Sequence, residues 1–297
     1  MSSVPTARTA VITRTFNRPR MLARAADSVC GQTAGDLVWV VVNNGGRPDD
    51  VERIVDRARG RGFIVRVLHL PDAVGIEEAS NAGIDAVASD YIVIHDDDDS
   101  WHPHFLAETA AYLDAKPHYA GVATASCRIS ETFDGDTLRE RGRERYNAWV
   151  RNIHLVDMAQ ANLYPPIAFL FRRSVWKAVG RFDAGLPVLG DWDFNLRVLM
   201  HGDIGFIPDV LANYHIRETI TDAADPAGNF VAARMSLFQE YDPIIRNRLL
   251  RGDLKDGRIG LGWLVSLGRQ HQAMWRVLRT VAAAGAARPS DSEDDQQ

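Results

Sequence analysis

Four short runs of apolar, strand-forming residues recur near the start of this 297-residue chain, and segments with helical spacing separate them. The runs are TAVITRTF (9–16), DLVWVVVN (36–43), FIVRVLHL (63–70) and YIVIH (91–95). They are apolar almost throughout rather than alternating, which is typical of strands buried on both faces. The pattern predicts an α/β fold in which a mixed, mostly parallel sheet is flanked by helices.

The residues directly after each run are polar. In parallel sheets, ligands bind beyond the carboxyl ends of the strands, so these positions are the most informative ones. They are Thr15–Arg18, Asn43–Gly46, Pro71–Gly75 and the four carboxylates Asp96–Asp99. Since the strand ends share one rim of the predicted sheet, we expect a binding site there.

Composition and charge exclude several classes of protein. A net charge of -5 disfavours a general nucleic-acid binder. Cys30 and Cys127 lie far apart and lack a metal-type spacing, which fits a reducing compartment. Residues 1–16 lack the apolar stretch of a signal peptide, and no segment has the roughly 18 apolar residues of a membrane span. We expect a cytoplasmic protein, soluble or peripheral at the inner face of the membrane.

Asp96–Asp99 place four like charges on adjacent residues, which folding disfavours unless solvent or a cation offsets the repulsion. Three interpretations are open. One is a solvated charge run, and another is a phosphatase of the haloacid dehalogenase type, which Ser100 and Trp101 fit poorly. The third is a divalent-cation site for a diphosphate, because Mg²⁺ and Mn²⁺ prefer carboxylate and phosphate oxygens.

Four motifs, in this order, resemble those of the family 2 glycosyltransferases with the GT-A fold. They are VITRTFNRP (11–19), VVNNGG (41–46), GIEEASNAGIDAVASDYIVIHDDDDSWHP (75–103) and GDWDFNLRV (190–198). The resemblance covers roughly residues 8–217. It implies a Rossmann-like GT-A fold and a metal-dependent, inverting hexosyltransferase of carbohydrate biosynthesis, which uses a nucleotide diphosphate sugar.

The resemblance assigns roles at the donor end of the site. Asp96, Asp97 and Asp98 correspond to the DxD motif of the family, in which Asp98 holds Mn²⁺ or Mg²⁺ against the diphosphate. Asp96 or Asp97 contacts ribose or sugar hydroxyls. The residues that line the nucleoside are Thr13, Phe16 and Asn43, with Phe16 stacking on the base. A UDP or dTDP sugar is the expected donor, although an amide at position 43 also permits other bases.

The resemblance also assigns roles at the acceptor end. Asp191, at the start of GDWD, corresponds to the catalytic base, which takes a proton from the acceptor hydroxyl. Asp193 is a rival for that role, and helix capping alone would explain one of the two carboxylates. Trp101, Trp192 and Asp193 are expected to contact the acceptor. His215 is either a metal ligand or an ordinary strand histidine.

Three parts of the chain follow from these assignments. We expect a catalytic domain at 1–220, with a nucleotide-binding half at 8–116 and an acceptor-binding half at 117–220. A helical extension at 221–286 and a disordered tail at 287–297 complete the chain. Within the catalytic domain, the charged stretch 137–149 is predicted to be a loop or an exposed helix, and residues 191–201 a short helix.

The segment 257–284 has the pattern of an amphipathic, arginine-bearing helix. Its apolar residues include Ile259, Trp263, Leu267, Met274, Trp275 and Leu278, and its basic ones are Arg258, Arg269, Arg276 and Arg279. Packing or pairing with a second copy is favoured over contact with an anionic membrane. The acceptor is expected to be a sugar, a lipid-linked molecule or a small molecule.

A different class of function is also open, because the family usually has Asp at position 43 and often Arg at position 80. Asn43 and Ser80 stand there in this chain. The alternative is a catalytically silent protein that binds sugar nucleotides. Loss of turnover with intact donor binding after Asp191→Asn would favour the enzyme.

Overall fold

The structure, a computed structural model, describes residues 5–135, 137–217 and 235–286. Within these residues, nine strands form one sheet. The strands are Thr6–Thr15 (β1), Leu37–Asn44 (β2), Ile64–Leu70 (β3), Ala88–Ile94 (β4), Ser100–Trp101 (β5), Gly121–Asp134 (β6), Thr137–Arg145 (β7), Phe169–Arg172 (β8) and Ile204–Ile216 (β9). The helices are Pro19–Cys30 (α1), Pro48–Gly60 (α2), Ile76–Asp85 (α3), Phe105–Ala115 (α4), Leu155–Gln160 (α5), Arg173–Val179 (α6), Gly190–His201 (α7), Met235–Lys255 (α8) and Leu261–Ala286 (α9).

The sheet confirms the predicted mixed architecture. Its strand order is β3-β2-β1-β4-β8-β6-β9-β5, and β7 pairs with β6 outside this path. The first four strands in that order are parallel, and β6 is parallel to β9. Strand β8 runs antiparallel between β4 and β6. The carboxyl ends of β1, β2, β3 and β4 therefore lie along one rim, as the sequence predicts.

The centre of the sheet is buried because its strands are apolar on both faces. All eight residues of β2 are buried. Helix α1 buries the apolar stripe that its spacing predicts, including Met21, Leu22, Ala25 and Val29. Pro19 stands at the start of α1, where its fixed φ suits the first helical turn. The packing of the buried strands against α1 fixes the positions of the strand ends.

The prediction of a loop or exposed helix at 137–149 is wrong for most of that stretch. Residues 137–145 form β7, which pairs antiparallel with β6 from Asp134↔Thr137 to Cys127↔Arg145. The strand is charged and exposed, and such side chains on an edge strand discourage pairing with other chains. The charged sequence does not indicate a strand, because this strand forms through backbone pairing with β6.

The chain divides into two compact units, Met1–Tyr241 and Asp242–Gln297. The predicted boundary between residues 220 and 221 and the predicted tail 287–297 lie outside the described residues, and the predicted domain limits stay predictions. None of the described helices is long and apolar enough to cross a membrane.

Candidate active site

The rim of the sheet is closely packed where the loops after β1 and β2 meet. The backbone N–H of Arg47 donates to Asn17 Oδ1 at 2.9 Å, which ties the two loops together. A Cβ atom at Gly46 would lie 2.9 Å from the backbone nitrogen of Asn17 and 2.6 Å from Asn43 Oδ1. Position 46 therefore requires glycine, and Asn43 lies beside residues that follow β1.

Arginines from two distant segments bind the three carboxylates that follow β4. Arg14, on β1, pairs with Asp96, and its guanidinium also donates to Ser80 Oγ at 2.8 Å. Arg18 donates to Asp97 Oδ1 at 2.8 Å and to Asp98 Oδ2 at 2.7 Å. Arg217, after β9, is fully buried and also binds Asp98. Guanidinium groups thus offset the repulsion that this acidic run would otherwise cause.

Burial and ion pairing act in opposite directions on these carboxylates. Burial opposes ionisation of Asp98, but Arg18 and Arg217 hold its pKa well below its usual range. For Asp97, burial prevails and raises the pKa, although Arg18 and the hydroxyl of Thr15 lower it. Asp98 is therefore the carboxylate that stays charged most firmly.

His215 lies close to the same cluster. Its backbone N–H donates to Asp99 Oδ1 at 2.8 Å. Its Nδ1 lies 2.9 Å from Glu131 Oε1, and its Nε2 lies 2.9 Å from Ser100 Oγ. Burial lowers the pKa of His215, so the neutral ring donates from Nδ1 to Glu131 and keeps a lone pair on Nε2.

The donor set fits a divalent cation only in combination with a ligand. Among the described residues, no three His, Cys, Asp or Glu side chains are grouped to hold a metal ion. Asp98 offers carboxylate oxygens and His215 an Nε2 lone pair oriented by a carboxylate, a common arrangement behind metal-ligating histidines. Mg²⁺ is usually bound by one or two carboxylates together with substrate phosphates and water. The residues present therefore suit a cation that arrives with a diphosphate.

The three residues expected to line the nucleoside differ in their accessibility. Phe16 is 48% exposed at the end of β1. Asn43 is buried, and its amide donates to the carbonyl oxygen of Gly46 at 2.7 Å, which fixes the amide orientation and leaves Oδ1 without a hydrogen bond. Thr13 is fully buried, and its hydroxyl accepts from the Trp39 indole at 2.9 Å. Phe16 thus offers an exposed surface, Asn43 Oδ1 is a buried acceptor without a hydrogen bond in the described structure, and Thr13 lies in the core.

Asp191 lies in the first turn of α7, as the sequence predicts. Its Oδ2 accepts from Asn162 Nδ2 at 2.7 Å, and Asn195 donates to Asn162 Oδ1 at 3.0 Å. Burial raises its pKa, while backbone N–H groups of the turn and then Arg14 oppose the shift. Because Arg14 also binds Asp96, its positive charge acts on both predicted carboxylate sites.

The other residues expected near the acceptor are bonded inside the fold. Trp192 is buried and donates from Nε1 to the carbonyl oxygen of Met158 at 2.6 Å. Trp101 is buried and donates to the carbonyl oxygen of Ile167 at 2.8 Å. Asp193 is buried and pairs with Arg197 at 2.9 Å. These three side chains therefore contribute to packing and to the helix, and do not form an open surface.

Sequence reasoning missed several residues that shape the site. They are Arg14, Glu77, Glu131, Asn162 and Arg217, and the ion pairs of Arg18 were not foreseen either. Arg14 and Glu77 stand within quoted motifs, which was a usable signal. Glu131, Asn162 and Arg217 gave none, because they approach the site only through tertiary packing.

The protein-family model described as "Glycosyl transferase family 2" matches residues 10–180. Among curated proteins, an uncharacterized glycosyltransferase YwdF of Bacillus subtilis (strain 168) is 24% identical over 216 residues, which cover 72% of this chain and 75% of that protein. A PGL/p-HBAD biosynthesis glycosyltransferase of Mycobacterium bovis (strain BCG / Pasteur 1173P2) is 28% identical over 197 residues, covering 63% and 68%.

Solved structures share the fold. TarS 1-349 of S. aureus in complex with UDP-GlcNAc superposes with a TM-score of 0.59 at 18% identity, over 71% of this chain and 59% of that chain. The mannosyltransferase PcManGT of Pyrobaculum calidifontis, in complex with GDP-Man and Mn²⁺, superposes with a TM-score of 0.55 at 17% identity, covering 95% and 84%. At these identities the likeness establishes the fold, which is the GT-A fold.

Proposed function

The chain belongs to glycosyl transferase family 2, and from that premise we propose that it transfers a hexosyl group from a nucleotide diphosphate sugar to an acceptor hydroxyl. We propose further that transfer inverts the configuration at the sugar carbon and depends on Mn²⁺ or Mg²⁺. One observation carries the proposal. Arg14 pairs with the carboxylate Asp96, which follows β4, and it also opposes the rise in the pKa of Asp191, which comes from a distant segment.

Asp191 is the proposed catalytic base. Its carboxylate takes the proton of the acceptor hydroxyl, and the freed oxygen forms a bond to the sugar C1. The bond between C1 and the diphosphate oxygen breaks, and the leaving diphosphate keeps the electron pair. Attack from the face opposite the leaving group inverts C1. Asn162 supports this role because it fixes the carboxylate at 2.7 Å.

Asp98 and His215 are the proposed ligands of the divalent cation, and Asp96 and Asp97 the proposed contacts to ribose or sugar hydroxyls. A bound cation would neutralise the negative charge that develops on the diphosphate. Arg18 supports this arrangement, since its guanidinium lies at Asp97 and Asp98 and offers further positive charge for phosphate oxygens.

The nucleoside is proposed to lie between Phe16 and Asn43. An exposed aromatic ring can stack on any base, so Phe16 does not select among bases. Asn43 Oδ1 lacks a hydrogen bond and can accept one from a ring N–H group of the base. A uracil or thymine base is therefore proposed, and replacing Asn43 by Ala is expected to weaken nucleotide binding about tenfold.

Two alternatives are less well supported. A phosphatase of the haloacid dehalogenase type needs a carboxylate nucleophile after the strand, whereas Asp96 and Asp98 are paired with arginines. A silent sugar-nucleotide binder would not need a second carboxylate at the site, yet Asp191 is held there by Asn162. The family membership favours the transferase over both.

The deciding experiment is a screen of nucleotide sugars with and without Mn²⁺. Ligands that bind the folded protein raise its melting temperature, so a shift with UDP or dTDP sugars identifies the donor. Donors found in this way are then incubated with a panel of 4-nitrophenyl glycosides, and released nucleoside diphosphate is measured. Binding without release would favour the silent binder, and release of phosphate from monoesters would favour the phosphatase.

Helix α9 is a proposed contact for a second copy of the chain. Its exposed apolar side chains include Leu261, Trp263, Leu267, Met274, Trp275 and Leu278. Leu267, Met274 and Leu278 are separated by seven and four residues, which is the spacing of apolar positions in a coiled coil. This spacing favours pairing over membrane contact. Light scattering would detect a dimer, and flotation with anionic vesicles would detect the alternative.

A cytoplasmic location is proposed because both cysteines, Cys30 and Cys127, are free thiols.

A further inference from the structure

Two buried polar groups near Asp191 have no partner within the described residues. Glu77 is 4% exposed, and its carboxyl group forms neither a hydrogen bond nor an ion pair with any of the described residues. Tyr164 is 2% exposed, and its hydroxyl group has no hydrogen-bond partner in the described structure. Buried polar side chains nearly always have a partner, so two exceptions near one carboxylate call for a physical reason.

Glu77 reaches the first turn of α7 through a contact that only glycine allows. A Cβ atom at Gly190 would lie 2.4 Å from both Cδ and Oε1 of Glu77. Such distances are far below contact distance, so a side chain at position 190 would displace the Glu77 carboxyl group. Gly190 directly precedes Asp191, so the Glu77 carboxyl lies against the turn that carries the proposed base.

The charged groups that face Glu77 come from several segments. Burial raises the pKa of Glu77 to about 8, Arg14 opposes this shift, and the carboxylates Asp191, Asp193 and Asp183 add to it. Near neutral pH the side chain is therefore mainly an uncharged acid, with one O–H donor and one carbonyl acceptor. Burial, and then Asp191, also raise the pKa of Tyr164, which stays a neutral phenol.

Packing alone does not explain these two groups. A buried donor or acceptor without a partner costs about 1–3 kcal/mol, and an apolar side chain of similar shape would avoid that cost. Residues that lower stability beside a site are expected where they serve a ligand. The ligand must carry groups that both donate and accept hydrogen bonds, which is the property of sugar hydroxyls.

We propose that Glu77 and Tyr164 bind hydroxyl groups of the acceptor saccharide next to Asp191. The inference rests on the proposed transferase function. Both sugars of that reaction carry hydroxyl groups, but the carboxylates assigned to the donor are Asp96 to Asp98, whereas Glu77 and Tyr164 lie near Asp191. The acceptor is therefore the sugar that these two side chains contact.

The test uses the full chain with Glu77→Met, Glu77→Gln and Tyr164→Phe. Glu78→Gln is the matched control, because Glu78 follows on the same helix, is partly exposed and pairs with Arg181 at 3.6 Å. Initial rates are measured at pH 7 with saturating donor and a varied 4-nitrophenyl glycoside, and then with the donor varied.

Glu77→Met and Tyr164→Phe are each expected to raise the acceptor KM about tenfold, because each removes one hydrogen bond to the ligand. The donor KM should change less than about twofold. Glu77→Gln, which resembles the uncharged acid, should restore the acceptor KM to within about threefold of the wild type. The melting temperatures of the Met and Phe variants should not fall below that of the wild type, which separates this role from a structural one.

Two results would overturn the inference alone. One is an unchanged acceptor KM in folded Glu77→Met and Tyr164→Phe, and the other is a rise in donor KM without a rise in acceptor KM. If the wild type transfers to no acceptor from any donor, the proposed function fails and this inference fails with it. Activity of the wild type therefore distinguishes the two failures.

Discussion

The two ends of the candidate site hold their carboxylates in opposite ways. At the donor end, Asp96, Asp97 and Asp98 are each bound by an arginine. At the acceptor end, Asp191 is bound by an amide and by backbone N–H groups, and Glu77 has no partner within the described residues. In the described part of the chain, Asp191 and Glu77 thus lack the arginine ion pairs that Asp96, Asp97 and Asp98 form.

This difference separates two kinds of chemical work. An ion-paired carboxylate such as Asp98 keeps a low pKa and stays charged, which suits binding of a cation or of hydroxyl groups. Burial raises the pKa of Asp191 and of Glu77, neither of which forms an ion pair with an arginine of the described residues, and Glu77, whose pKa is raised to about 8, holds a proton near neutral pH. Asp97 departs from this pattern, because burial raises its pKa despite Arg18. The proposed binding role therefore rests on Asp98, and the proposed proton transfer on Asp191.

The largest expected effect is on turnover and falls at the acceptor end. Asp191→Asn removes the proposed base, so kcat should fall about 10³-fold. The nucleotide affinity should stay within about twofold, because the proposed role of Asp191 is on the acceptor. Asp209→Asn, at an exposed position of β9, is the control and should leave kcat unchanged. Steady-state kinetics check both, and a folded Asp191→Asn variant with wild-type kcat would remove the assignment.

The next effect is on stability and falls at the donor end. Arg217→Met leaves Asp98 and Glu131 without the buried guanidinium that binds both, so the free energy of unfolding should fall by about 3 kcal/mol. Arg246→Met removes a partly exposed pair with Asp242 and should cost at most about 0.5 kcal/mol. Urea denaturation measures both variants. Equal losses would show that burial does not distinguish the two pairs.

The pH dependence of stability tests the unpaired carboxyl group. Between the ordinary pKa of Glu and about 8, the unfolded chain ionises Glu77 while the folded chain keeps the proton, so Glu77 lowers stability increasingly as pH rises. Glu77→Gln cannot ionise and should be more stable than the wild type by about 2 kcal/mol at pH 6, with almost no difference at pH 4. Denaturation at both pH values checks this, and a difference that does not grow with pH would contradict it.

The smallest expected effect concerns the orientation of Asp191, the proposed catalytic base. Asn162→Ala removes the donor at 2.7 Å from Asp191, and kcat should fall about tenfold while the fold is kept. Because the amide stabilises the charged form, the acid limb of the pH–rate profile should move to higher pH. Asn147→Ala removes an amide that binds the backbone carbonyl oxygens of Asn162 and Leu163, so it is the control for a change in the backbone that leaves the Asn162 side chain in place. An unmoved acid limb would show that Asn162 does not act on Asp191.

Much of the fold follows from the sequence. Continuous apolar runs such as DLVWVVVN (36–43) predict a buried parallel strand, and β2 is buried along its whole length. The order of the four quoted motifs predicts the family, and the family match to residues 10–180 confirms it. The charged strand β7 escaped prediction because its residues carry no strand pattern, and pairing with β6 decides its structure.

The site was less predictable than the fold. The sequence shows that Asp96 to Asp99 need compensation, but not that Arg217, more than a hundred residues away, provides part of it. It marks Trp101 and Trp192 as candidate ligand contacts, but it does not show that the fold uses their indole N–H groups internally. Such pairings arise from tertiary contacts, which local patterns do not encode.

The central claim is that Asp98 serves donor binding and Asp191 serves proton transfer. It is tested most directly by calorimetric titration of UDP with Mn²⁺ into the wild type, Asp98→Asn and Asp191→Asn. The account predicts that Asp191→Asn binds the nucleotide with the wild-type Kd and that Asp98→Asn binds at least about tenfold more weakly. Wild-type binding by Asp98→Asn, or a comparable loss in Asp191→Asn, would contradict it.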